Sequence, residues 1–297
     1  MNKDFSKELE EKKVLVDNAI NYYFSKYTFP KELCDSMRYS IIDSGKRIRP
    51  ILTISTAEIF GTPIDVVMPF AVAIEAIHTY TLIHDDLPAM DNDDFRRGKP
   101  TNHKVFGEAI AILAGDAMLT EAFHIMTEET INKKIPLKKA ILAINEIAKR
   151  CGVNGVVGGQ VVDILSENKK IDFTTLEYIH THKTGALILA SIKVGLYLSK
   201  TTKRDFKNLT KYGECIGLAF QIMDDILDIE GDFNKLGKKI GADEAKNKNT
   251  YPSLIGLARS KEILNELTNT AISKLKPYGE KANFLKNFAL YLSSRQS

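Results

Sequence analysis

Four oxygen-bearing side chains lie at helical spacing near residue 225. Gln221, Asp224, Asp225 and Asp228 occupy positions i, i+3, i+4 and i+7, which predicts an amide and three carboxylates on one face of a helix. Like charges at this spacing repel, so a cation should compensate them. A lone cluster of this kind is more often a solvated acidic face, so the interpretation depends on a second cluster.

A second acidic cluster follows an apolar segment earlier in the chain. His78 and Asp85 are seven residues apart, two helical turns along one face, and Asp86 and Asp91 come next. Pro88 should distort or end the helix, so Asp91 is expected to return toward Asp85. Two or three carboxylates suit Mg²⁺, which commonly completes its shell with water and substrate phosphate oxygens. Neither cluster has the loop spacing of a calcium-binding EF-hand.

Basic residues occur in four short segments near these clusters. Adjacent arginines, Arg96 and Arg97, follow the earlier cluster in a polar loop and are expected to reach two different anions. Further cations lie in residues 45–50, 182–185 and 236–239. Guanidinium and ammonium groups beside a Mg²⁺-loaded carboxylate cluster are what a diphosphate requires.

Other catalytic motifs are absent from the sequence. There is no nucleotide P-loop, no GxGxxG after a strand, no HExxH and no GxSxG. Gly158 and Gly159 predict close helix packing, with an active-site role for Gln160 or Asp163 as the alternative. The remaining histidines are interpreted as structural or solvated.

The elements that must position these residues are helical. Apolar residues recur mostly at spacings of three and four, and strict alternation is scarce. With no linker long enough to separate domains, residues 1–297 are predicted to form one all-α domain, a large helical bundle. The predicted helices are 4–26, 31–44, 48–60, 64–88, 105–128, 138–151, 153–167, 173–199, 204–230, 252–257, 261–276 and 281–294.

Composition excludes several classes of protein. The 41 basic and 38 acidic residues leave a formal charge of +3, which is too balanced for a nucleic-acid binder. The three cysteines lack disulfide-framework or zinc-site spacing. The charged first residues do not match a secretory signal, and no run approaches 18 apolar residues. We therefore expect a cytoplasmic protein with no membrane insertion and no nucleic-acid partner.

The motifs resemble those of trans-prenyl diphosphate synthases. Residues 75–98 are similar to the first aspartate-rich motif of that family, and residues 221–228 to the second. Residues 45–50, 183–185 and 237–238 also match, in the family's order. Four residues separate Asp86 from Asp91, a spacing that resembles the bacterial type of farnesyl diphosphate synthase.

This resemblance implies an isoprenoid synthase fold around a central cavity, a homodimer, and two or three Mg²⁺ ions per active site. The implied reaction is the head-to-tail (1'-4) condensation of isopentenyl diphosphate with dimethylallyl and geranyl diphosphate to give farnesyl diphosphate. The residues implied to bind Mg²⁺ are Asp85, Asp86, Asp91, Asp224 and Asp228. Those implied to hold the allylic diphosphate are Arg96, Lys183, Thr184, Gln221 and Lys238, and those implied to hold isopentenyl diphosphate are Lys46, Arg49, His78 and Arg97. The residues implied to act in catalysis are Asp85, Asp86, Asp91, Arg96, Lys183, Asp224 and Lys238.

Product length is predicted from the helix that carries Asp85. Tyr80 and Thr81 precede Asp85 by about one turn, about 5.4 Å along the helix axis, where a growing chain first meets the cavity floor. In the family an aromatic ring at the fifth position before the first aspartate limits the product to fifteen carbons. The alternative interpretation is purely structural: Tyr80 is an aromatic side chain of the core with its hydroxyl group hydrogen-bonded.

Three other functions compete with this one. A geranylgeranyl diphosphate synthase has the same chemistry with a longer product. A terpenoid cyclase usually carries a different second metal motif, and a non-catalytic partner subunit should have lost one aspartate cluster, whereas both are intact here. Arg295 is the only basic residue in the last five, which gives little support to a lid role for the C-terminus.

Overall fold

Helices connected by short turns make up the computed structural model, which describes residues 3–42, 45–230 and 249–295. The predicted all-α fold is confirmed. The helices are α1 (Lys3–Ser25), α2 (Lys31–Ile41), α3 (Ile48–Glu58), α4 (Ile64–Asp85), α5 (Asn102–Phe106), α6 (Glu108–Asn132), α7 (Leu137–Cys151), α8 (Val156–Ser166), α9 (Phe173–Ile179), a π-helical turn (His180–Thr184), α10 (Gly185–Leu198), α11 (Lys203–Glu230), α12 (Tyr251–Ile255), α13 (Leu257–Leu275), a 3-10 segment (Lys276–Ala282) and α14 (Asn283–Ser294).

Two helices, α4 and α10, form the centre of the bundle. Both are apolar on nearly all sides, a pattern typical of a helix buried all round. Helix α4 packs against α3 and α6, and α10 against α3, α7 and α11. As a result, Asp85 at the end of α4 and Lys183 just before α10 are presented by the most buried helices.

Close backbone approach brings α10 against α11. A Cβ atom added to Gly217 would lie 3.0 Å from the Cα of Gly185 and 3.2 Å from its carbonyl oxygen. Larger side chains at these positions would separate the helices. The contact places the start of α10, with Thr184, beside the second aspartate cluster on α11.

Several predicted helix ends are shifted by up to four residues, and three of the predicted helices differ for identifiable physical reasons. The predicted helix 64–88 ends at Asp85, since the chain turns before Pro88. The predicted helix 105–128 is divided into α5 and α6 at Gly107, whose φ of 81° is incompatible with a helix. The predicted helix 173–199 is interrupted by the π-helical turn, which widens the helix by one residue.

A short antiparallel hairpin lies between α4 and α5. Its strands are β1 (Phe95–Arg96) and β2 (Lys99–Pro100), with Arg96 paired to Lys99. The two-residue loop has positive φ at both positions, 53° at Arg97 and 77° at Gly98, as type I′ hairpin turns require. The turn directs the adjacent arginines to different surroundings.

Helices α4 and α6 are long and apolar enough to span a membrane by length and composition alone. The apolar window of α4 is 72% buried inside the bundle and that of α6 is 39% buried. A helix buried inside a protein core passes the same test, and most of the α4 window is buried in this way. The exposed part of α6 indicates a face available for contact with another surface.

Candidate active site

The first aspartate cluster is shaped by the turn that ends α4. The amide of Asp91 donates to the carbonyl of Asp85 (2.8 Å), and Asn92 bonds back to Leu87 (3.1 Å). The predicted return of Asp91 toward Asp85 is therefore confirmed. Burial raises the pKa of Asp85 to about 6, with Lys183 opposing and Asp91 reinforcing the shift. Asp85 is thus a desolvated carboxylate for which a cation is a suitable ligand.

Asp86 is engaged by an arginine instead of facing open space. Arg96 Nε lies 2.7 and 2.9 Å from its two carboxylate oxygens, and Nη2 lies 2.6 Å from Oδ1. Asp86 is buried, and burial raises its pKa while Arg96 opposes that rise. The pairing joins a predicted metal ligand to a predicted diphosphate ligand. For Asp86 to bind Mg²⁺ and Arg96 to bind the diphosphate, the Asp86–Arg96 contact must loosen or include these ligands when substrate binds.

Lys183 is held by an aspartate on α8. Its ammonium lies 2.6 Å from Asp163 Oδ2, and its charge also acts on Asp85 and Asp91. A Cβ atom added to Gly159 would lie 2.3 Å from the backbone nitrogen of Lys183, so the predicted close helix packing at that glycine is confirmed. Asp163, which sequence analysis named only as an alternative, therefore orients the predicted allylic-site lysine.

A polar network connects the π-helical turn to α11 and α12. The Thr184 hydroxyl donates to Gln221 Oε1 (2.9 Å), and Gln221 Nε2 donates to Asp225 Oδ1 (3.1 Å). Asp225 Oδ2 accepts from the amide of Tyr251 (2.9 Å), and His180 Nε2 lies 3.6 Å away. The structure thus brings Thr184 and Gln221 together, as predicted.

The second aspartate cluster divides by burial, contrary to the single shared face that spacing predicts. Asp225 is buried in the polar network, whereas Asp224 and Asp228 are partly exposed. The difference arises because α12 and the π-helical turn pack against the Asp225 side of α11, where the Tyr251 amide donates to Asp225 and His180 lies close to it. Asp224 and Asp228, the predicted metal ligands of this cluster, remain accessible.

The C-terminal Arg295 contacts the second cluster. Its guanidinium pairs with the carboxylate of Asp224 and lies over the Phe220 ring, 4.4 Å from the centroid. Arg295 and Asp224 also influence Lys46, whose pKa is lowered by burial first and by Arg295 second. The terminus thus reaches the site, a contact that the composition of the last five residues did not predict.

The side chains predicted to hold isopentenyl diphosphate, three cations and the His78 imidazole, lie together. Burial, with a smaller contribution from Arg97, lowers the pKa of Arg49 to about 10, while Glu75 opposes the shift. The pKa of His78 lies well below its usual value because of burial and of Arg49 and Arg97. Arg97 also packs its guanidinium against the backbone of Gly45, where a Cβ atom would lie 2.5 Å from Nη1. Arg49 Nε is buried without a hydrogen-bond partner, so an anion would complete this group.

Tyr80 and Thr81 lie on α4 as predicted, before the first cluster. Tyr80 is buried, its pKa is raised to about 12 by burial, and its ring meets that of His84 edge-on at 5.8 Å. The Thr81 hydroxyl donates to the His78 carbonyl (2.8 Å). Their predicted role in product length stays a prediction. Lys238 lies outside the described residues.

Residues 30–285 match the polyprenyl synthetase family. The chain belongs to this family. Among its relatives, farnesyl diphosphate synthase of Geobacillus stearothermophilus is 49% identical over 256 residues, which cover 86% of each chain. Farnesyl diphosphate synthase of Haemophilus influenzae is 43% identical and covers 96% of this chain and 98% of its own. The chloroplastic geranylgeranyl pyrophosphate synthase of Catharanthus roseus is 45% identical, covering 90% of this chain and 75% of its own.

Solved structures agree with this membership in the polyprenyl synthetase family. The apo structure of an FPP/GFPP synthase from Zymomonas mobilis has a TM-score of 0.88 and 34% identity, and the match covers 99% of this chain and 100% of that one. The isoprenoid synthase fold is therefore shown over nearly the whole chain.

The carboxylates of this polyprenyl synthetase fit Mg²⁺ ions whose coordination shell is completed by phosphate oxygens of the substrate. Within residues 3–42, 45–230 and 249–295, no three His, Cys, Asp or Glu side chains are arranged to hold a metal by themselves. Mg²⁺ commonly binds through one or two carboxylates and the phosphates of its substrate. Asp85, desolvated and adjacent to Asp91, could form such a partial site, and Asp224 with Asp228 could form another if Arg295 released Asp224.

Proposed function

We propose that this chain condenses isopentenyl diphosphate head to tail with dimethylallyl and geranyl diphosphate to give farnesyl diphosphate. The observation that carries the proposal is the arrangement of two carboxylate clusters at the ends of α4 and α11, with separate groups of cations beside them. One group includes Lys183, with the Thr184 hydroxyl next to it in the chain, and the other includes Arg49 and Arg97, with the His78 imidazole near both. Two diphosphates require two such groups.

The allylic diphosphate is held by Lys183, Thr184, Gln221, Arg96 and Lys238. Asp85, Asp86, Asp91, Asp224 and Asp228 would hold two or three Mg²⁺ ions, which would supply Lewis-acid neutralisation of the leaving diphosphate. Lys183 adds a fixed positive charge where the leaving group develops negative charge as the allylic C–O bond breaks. Asp163 keeps that ammonium oriented.

Isopentenyl diphosphate is held by Lys46, Arg49, His78 and Arg97. Its double bond attacks C1 of the allylic cation, a C–C bond forms, and a proton is lost from C2 to the departing diphosphate. No side chain is needed as nucleophile or base. The two groups of cations supply the proximity of the reactants, and the apolar side chains around Tyr80 exclude water from the cation.

The fifteen-carbon product is supported by the farnesyl diphosphate synthase relatives and by Tyr80. The geranylgeranyl pyrophosphate synthase relative supports a twenty-carbon alternative. A non-catalytic partner subunit would not need two intact clusters. Labelled isopentenyl diphosphate, incubated with dimethylallyl or geranyl diphosphate and Mg²⁺, distinguishes the three by the length or absence of the product. We expect fifteen carbons.

The whole chain, residues 1–297, is proposed to act as a single domain in a cytoplasmic homodimer, without membrane insertion or nucleic acid. The homodimer is supported by large apolar side chains that are exposed on and around α6, α7 and α8. These are Val105, Ile112, Leu113, Ile131, Leu137, Ile141, Leu142, Val153, Val157, Val161, Ile164 and Leu165.

A further inference from the structure

Arg47 is a buried arginine between two proposed substrate-binding cations. Only 1% of its side chain is exposed, and its guanidinium makes three contacts to three different parts of the fold. Nε donates to Asp17 of α1 (2.7 Å), Nη1 to Glu75 of α4 (3.0 Å), and Nη2 to the carbonyl of Ile41 at the end of α2 (2.5 Å). A buried guanidinium with all three nitrogens engaged is held in one orientation.

The backbone at Arg47 fixes the direction of its neighbours. Arg47 has φ 52° and ψ 31°, the left-handed conformation, and it precedes the first residue of α3. Non-glycine residues adopt this conformation only where the surrounding structure enforces it. Lys46 precedes this left-handed residue and Arg49 lies in the first turn of α3, so the conformation of Arg47 sets the path of the backbone between them.

The same loop is contacted from the other side by Arg97, which packs on Gly45. Glu75 is a carboxylate that the three arginines share, because it bonds Arg47 and its charge acts on both Arg49 and Arg97. Asp17 and Glu75 thus balance cations that would otherwise repel one another. Neither carboxylate is among the proposed Mg²⁺ ligands.

We infer that Arg47 is a positioning residue, held by Asp17 and Glu75, that sets Lys46 and Arg49 in place for isopentenyl diphosphate. The inference rests on the proposed function, since it takes that substrate as the ligand of the two cations. It assigns helix α1 a part in substrate affinity, through a residue that does not touch substrate. Arg47 itself faces inward, so its effect is indirect.

Asp17→Asn tests this inference, because Asp17 is 24% exposed and its loss should not prevent folding. Glu58→Gln is the matched control: it removes the Lys12–Glu58 ion pair, which also joins α1 to α3 but lies at the far end of α3. Lys13→Gln removes the other partner of Asp17. Isopentenyl diphosphate is titrated into each folded protein by calorimetry, and KM is measured for both substrates.

Asp17→Asn is expected to weaken isopentenyl diphosphate binding and raise its KM by about three- to tenfold, with kcat and the KM for geranyl diphosphate unchanged. Arg47→Lys should act in the same direction and more strongly. Glu58→Gln and Lys13→Gln should match wild type. Equal effects of Asp17→Asn and Glu58→Gln, or equal effects on both substrates, would overturn the inference. If wild type binds isopentenyl diphosphate but forms no product, the proposed function fails while the calorimetric comparison still decides the role of Arg47.

Discussion

At the scale of single residues, adjacent arginines serve different parts of the site. Arg96 pairs with Asp86, whereas Arg97 lies against Gly45. The divergence follows from the type I′ turn, which begins at Arg97. The adjacent arginines thus lie in different surroundings, and the proposed function assigns them to two different diphosphates.

Substitution of one cation from each group should separate the two substrates. Arg97→Ala is expected to raise the KM for isopentenyl diphosphate by about ten- to a hundredfold, because a charge-assisted contact is lost. Lys183→Ala should raise the KM for geranyl diphosphate instead and lower kcat. Steady-state kinetics with each substrate varied in turn measures this. Equal weakening of both substrates by both variants would show that the cations are wrongly divided.

Tyr80→Ala should lengthen the product. Removing the buried ring leaves space about one helical turn from Asp85, so the chain is expected to grow to twenty carbons or more. Chromatography of the labelled products measures the distribution. Thr81→Ser keeps the volume nearly unchanged and serves as the control. A folded, active Tyr80→Ala enzyme that still stops at fifteen carbons would place the cavity floor elsewhere.

At the scale of elements, the π-helical turn between α9 and α10 organises the site. It contains His180, Lys183 and Thr184, which contact α11, α8 and α11 respectively. A wide turn inside a helix is a common device at functional sites, because it redirects side chains without ending the helix. Here the π-helical turn directs Lys183 toward α8 and the adjacent Thr184 toward α11.

His180 should make stability depend on pH. Burial lowers its pKa to about 3, with Lys183 acting in the same direction and Asp163 opposing it, while Asp225 lies 3.6 Å from Nε2 and the Tyr251 ring stacks on it. The unfolded chain has a pKa near 6.5, so the native state must stay neutral while the unfolded state gains a proton. Above pH 6.5 this residue does not reduce the free energy of unfolding. As the pH falls from 6.5 toward 3, the unfolded state alone gains the proton, so the free energy of unfolding decreases, by about 2 kcal/mol at pH 5.

Urea unfolding at pH 7.5 and pH 5 measures this dependence. His180→Phe keeps an aromatic ring on Tyr251 and cannot be protonated. Between the two pH values its free energy of unfolding should therefore fall by about 2 kcal/mol less than that of wild type. His124→Phe, on an exposed part of α6, is the control and should behave like wild type. An unchanged pH dependence in His180→Phe would mean that another group is responsible.

Much of the site could be predicted from sequence because its signals are local. Helical spacing placed Asp224 and Asp228 on one helix, and Pro88 predicted the turn that returns Asp91. What could not be predicted depends on distant parts of the chain. The burial of Asp225 depends on Tyr251, and the fixed position of Arg47 depends on Asp17, neither of which has a local signature. The π-helical turn also lacks a glycine or proline signal before its end.

At the scale of the whole molecule, the exposed apolar side chains of α6 to α8 predict a dimer. Light scattering after gel filtration should give about twice the chain mass of 33.2 kDa. Leu113→Glu places a charge on this face and should shift the protein toward monomer. Leu290→Glu, at a similarly exposed position on α14, should not. A monomeric wild type, or equal effects of both variants, would contradict the proposed interface.

The central claim is that the carboxylates at the end of α4 promote allylic ionisation in a prenyltransferase. The most direct measurement follows the fifteen-carbon product from labelled isopentenyl diphosphate and geranyl diphosphate at saturating Mg²⁺, in wild type, Asp85→Asn and Asp94→Asn. Asp94 belongs to the same loop but is exposed and paired with Lys104. We predict that Asp85→Asn lowers kcat by about a hundredfold or more without unfolding, whereas Asp94→Asn stays near wild type. A folded Asp85→Asn enzyme with near-wild-type turnover would contradict the claim.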